Sequence, residues 1–347
     1  MKRLLLLALL AALPARADDV VPARADDVVP VRADDVVRVG IINSLSDVPV
    51  FLALERGYFR DQHIDARFTS LDTAGKMIAP LGAGDLDVGG GASSAGLFNA
   101  VERGIHIRIV ADRTTTWPQS DYQSVIVRRD LIDSGRVKSL ADLKGLRIGI
   151  ATPGIAELSV VNEGVKSAGL KYSDVNIVYL SFPQQIAAFA NGALDASFII
   201  EPFGTIAVQA GSARRLVNTE AFYPGDQIGL QFYSEDFATN HRGVAIRFMT
   251  ALLRGYRDYM GTIRDGHIIG PGADPVIELI VRRYKISEAL AREMYSQHVD
   301  PDGRVNLASI RRDWEFFRDQ GMIKGSVSPE SVVDMSFAQA AAKVLGK

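Results

Sequence analysis

From residue 36 onward, short β-branched runs alternate with stretches whose apolar residues recur at helical spacing. Residues 36–42 (VVRVGII) form a brief apolar run of the kind a strand buried on both faces requires. Residues 48–59 (VPVFLALERGYF) carry apolar side chains at helical spacing and predict a helix ending near Gly57. The alternation continues: IDARFTS reads as strand, TAGKMIAPLGAG as helix, LDVGGG as strand, ASSAGLFNAVERG as helix and IHIRIVAD as strand. Such an order predicts an α/β protein built on parallel sheets with helices on both faces.

The pattern is then repeated. LRIGIA (146–151) echoes VRVGII, and GALDASFIIEPFG (192–204) echoes GDLDVGGGASSAG (84–96). Gly84, Leu86 and Asp87 match Gly192, Leu194 and Asp195 at one constant shift of about 108 residues, and Gly40 falls opposite Gly149 at nearly the same shift. Ordered matches at a shared offset imply two related α/β lobes. The expected division is lobe one over 37–124, lobe two over 125–230, and a return to lobe one with mostly helical sequence over 231–347. Two extended stretches, QSVIVRRD (123–130) and IGLQFYSED (228–236), are the expected paired hinge crossovers.

What precedes residue 36 belongs to export rather than fold. Lys2 and Arg3 are followed by an apolar run over 4–13, too short to span a bilayer, then by Pro14 and the A-x-A site Ala15-Arg16-Ala17. Residues 1–17 therefore read as a signal peptide. The octapeptide PARADDVV stands at 14–21, recurs at 22–29 and returns with one change at 30–37, copying the cleavage site each time. A tandem duplication across that site explains it, and a repeated docking tag is the rival reading. Cleavage after Ala17 leaves an acidic arm over 18–36, expected to be disordered, with cleavage after Ala25 as the alternative. The chain has 347 residues, net charge −2 and no cysteine. Disulfides, Cys-zinc sites and a cysteine nucleophile are excluded, as is the cysteine a bacterial lipoprotein needs at its cleavage site. The charge argues against nucleic acid as a partner. An exported, unanchored monomer in the periplasm is the expectation.

In an open α/β sheet, ligands bind beyond the carboxyl ends of the strands, where loops enter helices. Each lobe offers two such loops. Lobe one has Ser44, Leu45, Ser46 and Asp47 after its first strand, and Ser93 and Ser94 after LDVGGG. Lobe two answers with Thr152, Gly154, Ile155, Ala156 and Glu157, and with Glu201 and Phe203, where Glu201 stands opposite Ser93. Small residues admit a ligand close to backbone N–H groups, although serines at helix starts are also ordinary caps. Trp117, in a polar loop, and Tyr233 join Phe203 as candidate pocket walls, with packing at the lobe interface the alternative for Trp117. Trp314 recurs with Leu307, Ile310 and Phe317 at helical spacing and reads as core. Catalytic motifs fail on inspection. Ala95 replaces the last glycine of a G-x-S-x-G elbow, the five histidines show no metal spacing, and Gly303 comes too early for a calcium loop. No metal or cofactor is expected.

The phrases SLSDVPVFLALERGYFRDQHID, IAPLGAGDLDVGGGASSAGLFNAVERG, LADLKGLRIGIATPG and IIEPF resemble the nitrate/sulfonate/taurine class of ABC-importer substrate-binding proteins, which also includes binders of thiamin-precursor pyrimidines. The resemblance runs from about residue 37 to at least residue 321. It implies the type II periplasmic binding protein fold, a small organic ligand (sulfonate, pyrimidine-like or aromatic) in an inter-lobe cleft, and ABC permease and ATPase subunits as partners. It also implies that the four loops named above border the cleft. Yeast-type relatives that make the thiamin pyrimidine use a cysteine-rich stretch and a histidine, and that chemistry is closed to a cysteine-free chain. The four loops hold Asp47, Glu157 and Glu201 but no Arg or Lys, so a small anion is not the obvious guest, although Arg113 could reach the cleft from its strand end. Glu201 could read a ligand or brace the hinge. A periplasmic enzyme on the same scaffold, with Glu201 or Glu157 as general base, is the alternative function.

Overall fold

The computed structural model describes residues 34–346. The expected signal peptide and the expected arm up to residue 33 lie outside the described residues.

Ten strands form two five-stranded sheets. In chain order they are β1 (Asp35–Ile41), β2 (Ile64–Ser70), β3 (Val88–Gly91), β4 (Ile107–Thr114), β5 (Gln123–Arg128), β6 (Arg147–Ile150), β7 (Asn176–Tyr179), β8 (Ala196–Ile200), β9 (Ala213–Asn218) and β10 (Gly229–Ser234). The first sheet runs β2-β1-β3-β10-β4 and the second β7-β6-β8-β5-β9. The two orders are the same pattern: a first strand parallel to the second and third, then a strand donated from the other half of the chain, then an edge.

The sequence repeat has a structural cause. Asp87 accepts hydrogen bonds from the backbone N–H of Arg38 (2.7 Å) and from its guanidinium Nε (3.0 Å) and Nη2 (2.5 Å). Asp195 does the same for Arg147, at 3.0, 2.8 and 2.8 Å. Each aspartate clamps the first strand of its half to the turn before the third. A Cβ on Gly40 would come within 2.9 Å of Leu86, and one on Gly149 within 2.7 Å of Leu194. The repeated Gly, Leu and Asp thus record one strand–turn junction built twice.

Three expectations are corrected. The sheets are mixed rather than parallel, because β5 and β10 are antiparallel to both their neighbours. The stretches at 123–130 and 228–236 are not the crossovers themselves: β5 and β10 are interior strands, and the chain crosses between sheets just before them, over 115–122 and 219–228. Gln123 and Ser124 therefore pair in the second sheet, and Gly229 and Leu230 in the first. At the start of the chain, Asp35 and Val36 pair with β2 instead of ending a disordered arm, and Arg247 anchors Asp35.

After β10 the chain is mainly helical. The long helix Arg242–Gly261 buries Phe248, Met249, Leu252, Leu253, Tyr256 and Tyr259 in the core that also holds β1 and the helix Val48–Glu55. A Cβ at Gly255 would stand 2.4 Å from the Pro49 carbonyl oxygen, so the glycine sets how closely these helices cross. The helix Leu307–Asp319 buries Ile310, Phe316 and Phe317 in a second core shared by both sheets. Trp314 is half-buried beside that core, its indole N–H donating to the Val327 carbonyl at 2.8 Å.

Candidate ligand-binding cleft

Strand order carries the loops at the strand ends of both sheets to one cleft of about 1360 Å³. The four predicted loops meet in pairs across it. Ser94 and Ile155 form an antiparallel bridge, with Ala95 N–H donating to the Gly154 carbonyl at 2.8 Å and Ala156 N–H to the Ser93 carbonyl at 3.0 Å. The second pair meets where Leu45 N–H approaches the Glu201 carbonyl at 3.5 Å.

Eight of the fifteen candidate residues line the cleft: Ser44, Ser46, Ser94, Thr152, Ile155, Ala156, Glu157 and Phe203. Phe203 stacks on Phe182, ring centroids 5.0 Å apart, as an aromatic wall. The Ser44 and Ser46 hydroxyls bond to each other at 2.7 Å, and Tyr284 donates to the Ser44 carbonyl. Ser94 caps the helix Ala95–Glu102 by accepting from Leu97 N–H.

The other seven lie off the lining, each for a visible reason. Asp47 is fully buried: its Oδ2 accepts from Ile42 and Ser44 N–H at 3.2 Å each, and its Oδ1 takes the Arg113 guanidinium. Arg113, which from its strand end could have reached the cleft, is turned inward by that pair and by Gln231 Oε1 (2.7 Å). Its guanidinium fills the space beside Gly90 that a Cβ would occupy. Leu45 is buried under the same loop. Ser93 donates to Asp313 at 3.1 Å in the interior. Glu201 is also wholly buried, accepting from Arg215, from the Thr205 hydroxyl (2.8 Å) and from Thr205 N–H (3.1 Å). Gly154 contributes only its carbonyl to the bridge. Trp117 packs on His298, centroids 4.9 Å apart. Tyr233 is core: its ring sits among Phe237, Phe248 and Phe337 and its hydroxyl donates to the Ala245 carbonyl at 2.9 Å. A large ring on an interior strand is covered by the long helix, and the sequence alone did not show which strand would be interior.

Glu157 is different from its counterpart Asp47. Both sit at the start of the helix after the first strand of their sheet, and both hold the end of that strand: Glu157 Oε2 accepts from Ala151 N–H at 2.9 Å. Asp47 has a guanidinium partner, but Glu157 Oε1 is buried with no hydrogen-bond partner in the protein. Burial pushes its carboxyl up to about 8, with the Ala151 N–H opposing.

Tyr122, Gln123, Phe182, Asp226 and Tyr284 also line the cleft and were not singled out by sequence. Asp226 belongs to a buried network in which the Ser309 hydroxyl donates to Asp226 at 3.3 Å and Tyr223 OH bonds to Ser309 and Asp313. Burial pushes Asp226 up to about 7. One signal was present for Asp313: it stands in phase with Ile310, Phe316 and Phe317 on the apolar face of its helix. Asp226, in an irregular crossover, gave none.

Residues 46–262 match the family model described as NMT1/THI5 like. The chain belongs to the NMT1/THI5-like family. Among curated relatives, this family member is 26% identical over 215 residues to a protein of Brucella abortus strain 2308 named as a binding protein. That match covers 60% of this chain, which spans 61% of the relative's length. The fold of this NMT1/THI5-like protein is that of the alkanesulfonate-binding protein SsuA from Xanthomonas axonopodis pv. citri bound to MOPS (TM-score 0.65, 20% identity, 87% of this chain and 99% of that one). It is also that of the periplasmic nitrate-binding protein NrtA from Synechocystis (TM-score 0.72, 13% identity, 90% and 89%). The desulfurization enzyme DszB shares it as well (TM-score 0.61, 15% identity, 90% and 100%). At these identities the likeness is one of fold: two mixed sheets of the periplasmic binding protein type.

Proposed function

We infer that the protein is the solute-binding component of an ABC import system, taking a small organic molecule between its two sheets and presenting it to a membrane permease and its ATPase. The observation that carries this reading is the cleft itself: equivalent loops from two copies of one strand pattern face each other across it, and among the described residues the chain passes between the sheets at two places, before β5 and before β10. A ligand held by both sides favours the closed arrangement to the extent that it binds that arrangement better. The fold neighbours named for alkanesulfonate and nitrate binding support the reading.

The leader supports export of such a component to the periplasm with Asp18, or alternatively Asp26, as its first residue, and we read it there as an unanchored monomer; N-terminal sequencing of exported protein checks the cleavage site. Among the described residues, no helix is long and apolar enough to cross a membrane. DszB shows that the scaffold also hosts catalysis, so an enzyme using Glu157 as general base is the second reading. Glu201 is unsuited to that role, being enclosed by Arg215 and Thr205. One experiment separates the two readings. Protein purified from its host is denatured and the released small molecules are identified by mass spectrometry, then returned to fresh protein. Stoichiometric binding and recovery unchanged support transport; a changed mass supports catalysis.

A further inference from the structure

Beside the cleft, two buried carboxyls are joined through hydroxyls. Ser309, on the helix Leu307–Asp319, donates to Asp226 Oδ1 at 3.3 Å and accepts from Gln227 N–H at 2.9 Å. Tyr223 OH lies 3.1 Å from the same serine hydroxyl and donates to Asp313 Oδ1 at 3.4 Å. Ser93 donates to Asp313 Oδ2 at 3.1 Å. Neither carboxyl forms an ion pair among the described residues; Arg312 lies over the Tyr223 ring instead, 4.6 Å from its centroid.

This network sits where the two halves join. Tyr223 and Asp226 belong to the crossover over 219–228, and Asp226 also lines the cleft. Asp226 N–H donates to the Thr116 hydroxyl at 2.7 Å and Thr116 N–H to the Asp226 carbonyl at 2.9 Å, so the two crossovers are tied together at this residue. The segment after the helix Leu307–Asp319 is fixed to the first half: Asn99 Nδ2 donates to the Met322 carbonyl at 2.8 Å, and Glu102 accepts from Ser326 and Val327 N–H at 2.9 and 3.0 Å. The helix also meets the second half. Phe316 packs edge-on against Tyr172, centroids 5.1 Å apart, and Ser159 of the helix Glu157–Ser167 faces Asp313 with its hydroxyl unpaired. Parting of the sheets would therefore admit water to Asp226 from the cleft and to Asp313 from the Ser159 side.

With the sheets together, as the Ser94–Ile155 bridge holds them, this is a poor place for negative charge. Asp226 and Asp313 are 1% and 0% exposed, and Asp226 Oδ2 has no partner. An unpaired carboxylate out of water is far costlier than an unpaired neutral carboxyl. Burial pushes Asp226 up to about 7, and burial together with the Asp226 charge pushes Asp313 well above the carboxylate range. The charged and titratable groups facing the pair are Arg312 on the helix and Glu220 and Tyr223 on the crossover, while Ser93 and Ser159 bring hydroxyls from the two halves. Two further buried carboxyls belong to the surroundings: Asp112, which accepts from Gln227 Nε2 at 2.6 Å, and Glu157 in the cleft lining.

We propose that closing the two sheets takes up a proton onto the Asp226–Asp313 pair, so that acid favours the closed arrangement and rising pH releases it. This rests on the hinged solute-binding reading above and adds its regulation. Opening hydrates the pair and returns it toward ordinary carboxylate behaviour, so proton binding and closure reinforce each other. For one proton held at about 7 when closed and at an ordinary value when open, the closed-to-open ratio rises about tenfold from about pH 8 to about pH 6.

The chain has no cysteine, so one label can be placed on each half. Ala79→Cys and Tyr179→Cys are exposed positions on opposite sides of the cleft. The full chain carrying a fluorescent donor and acceptor at these two sites is read by single-molecule energy transfer, without ligand, from about pH 5.5 to about pH 9. The short-distance population is expected to gain on the long-distance one about tenfold from about pH 8 to about pH 6. Asp226→Asn combined with Asp313→Asn should flatten that response, and either substitution alone should move its midpoint, because the apparent values belong to the pair. A response that survives the double substitution, as it would were Glu157 or Asp112 its source, overturns the proposal. So does a distance in the otherwise unsubstituted chain that ignores pH or shortens as pH rises, an outcome that needs neither asparagine variant to fold. The solute-binding reading is judged separately, by the small molecule released from protein purified from its host.

Discussion

Glu201→Gln should lower stability while leaving ligand affinity nearly intact. In the folded protein one oxygen of this carboxylate accepts from Arg215 and from the Thr205 hydroxyl, and the other accepts from Thr205 N–H. Every donor around it points inward, and the side chain is fully enclosed. An amide in its place presents NH₂ either to the guanidinium or to the Thr205 N–H, so one face becomes donor against donor. Breaking a buried pair by removing one partner costs about 3–5 kcal/mol. Here Arg215 is 21% exposed and keeps the Ser124 hydroxyl (2.5 Å) and the Thr205 hydroxyl (2.7 Å). Those remaining partners bring the cost to the lower end of that range or just below it, about 2–3 kcal/mol, equivalent to a fall in melting temperature of roughly 4–8 °C for a chain of this size. Thermal denaturation followed by circular dichroism reads the first quantity, and equilibrium dialysis with the small molecule recovered from the wild-type protein reads the second. A melting temperature unchanged to within about 1 °C, together with affinity reduced tenfold or more, would refute the reasoning: it would mean that the carboxylate leaves its internal partners to meet the ligand.

Stability should fall as pH rises from about 5.5 to about 8.5. Burial pushes Asp112 and Asp226 up to about 7, Glu157 up to about 8 and Asp313 well above the carboxylate range. The folded chain therefore holds more protons than the unfolded one above about pH 4, and each group's contribution is lost as pH passes its folded value, by up to about 1.4 kcal/mol per pH unit. A denaturation midpoint that climbs over this range would contradict the assignment. Gly149→Ala places a methyl 2.7 Å from Leu194 and 3.1 Å from Gln185 and should cost about 1–3 kcal/mol by overpacking, measured by urea denaturation; no change would show that the junction is slack. Asp195→Ala frees the Arg147 backbone N–H and two arginine side chains. Because Arg147 is 41% exposed, the expected loss is modest, about 1–2 kcal/mol, and faster amide exchange at Arg147 localises it.

The sequence determined the elements and the way they repeat. Turn residues and alternating pattern placed β2, an edge strand largely open to solvent, at IDARFTS, and an apolar run placed β1, an interior strand, within a residue of its observed ends. The matched Gly, Leu and Asp of the two halves announced a junction whose chemistry is local, an aspartate reaching the N–H and guanidinium of the strand beside it. The position of the loops that border the cleft was also legible, since strand ends entering helices follow from chain order alone. What each side chain in those loops does was not legible. Ser93 and Glu201 look like site residues and turn inward, because Asp313 and Arg215, distant in sequence or on another strand, arrive behind them. Asp47 and Glu157 occupy the same place in their halves, and only the tertiary structure shows that one meets Arg113 while the other holds the Ala151 N–H without an arginine beside it. The direction of β5 and β10, and with it the burial of Tyr233, depends on which strands the second half of the chain inserts between. A charge finds its partner, and a strand its neighbours, through contacts that run across the fold, and a linear pattern of apolar and polar positions carries no record of them.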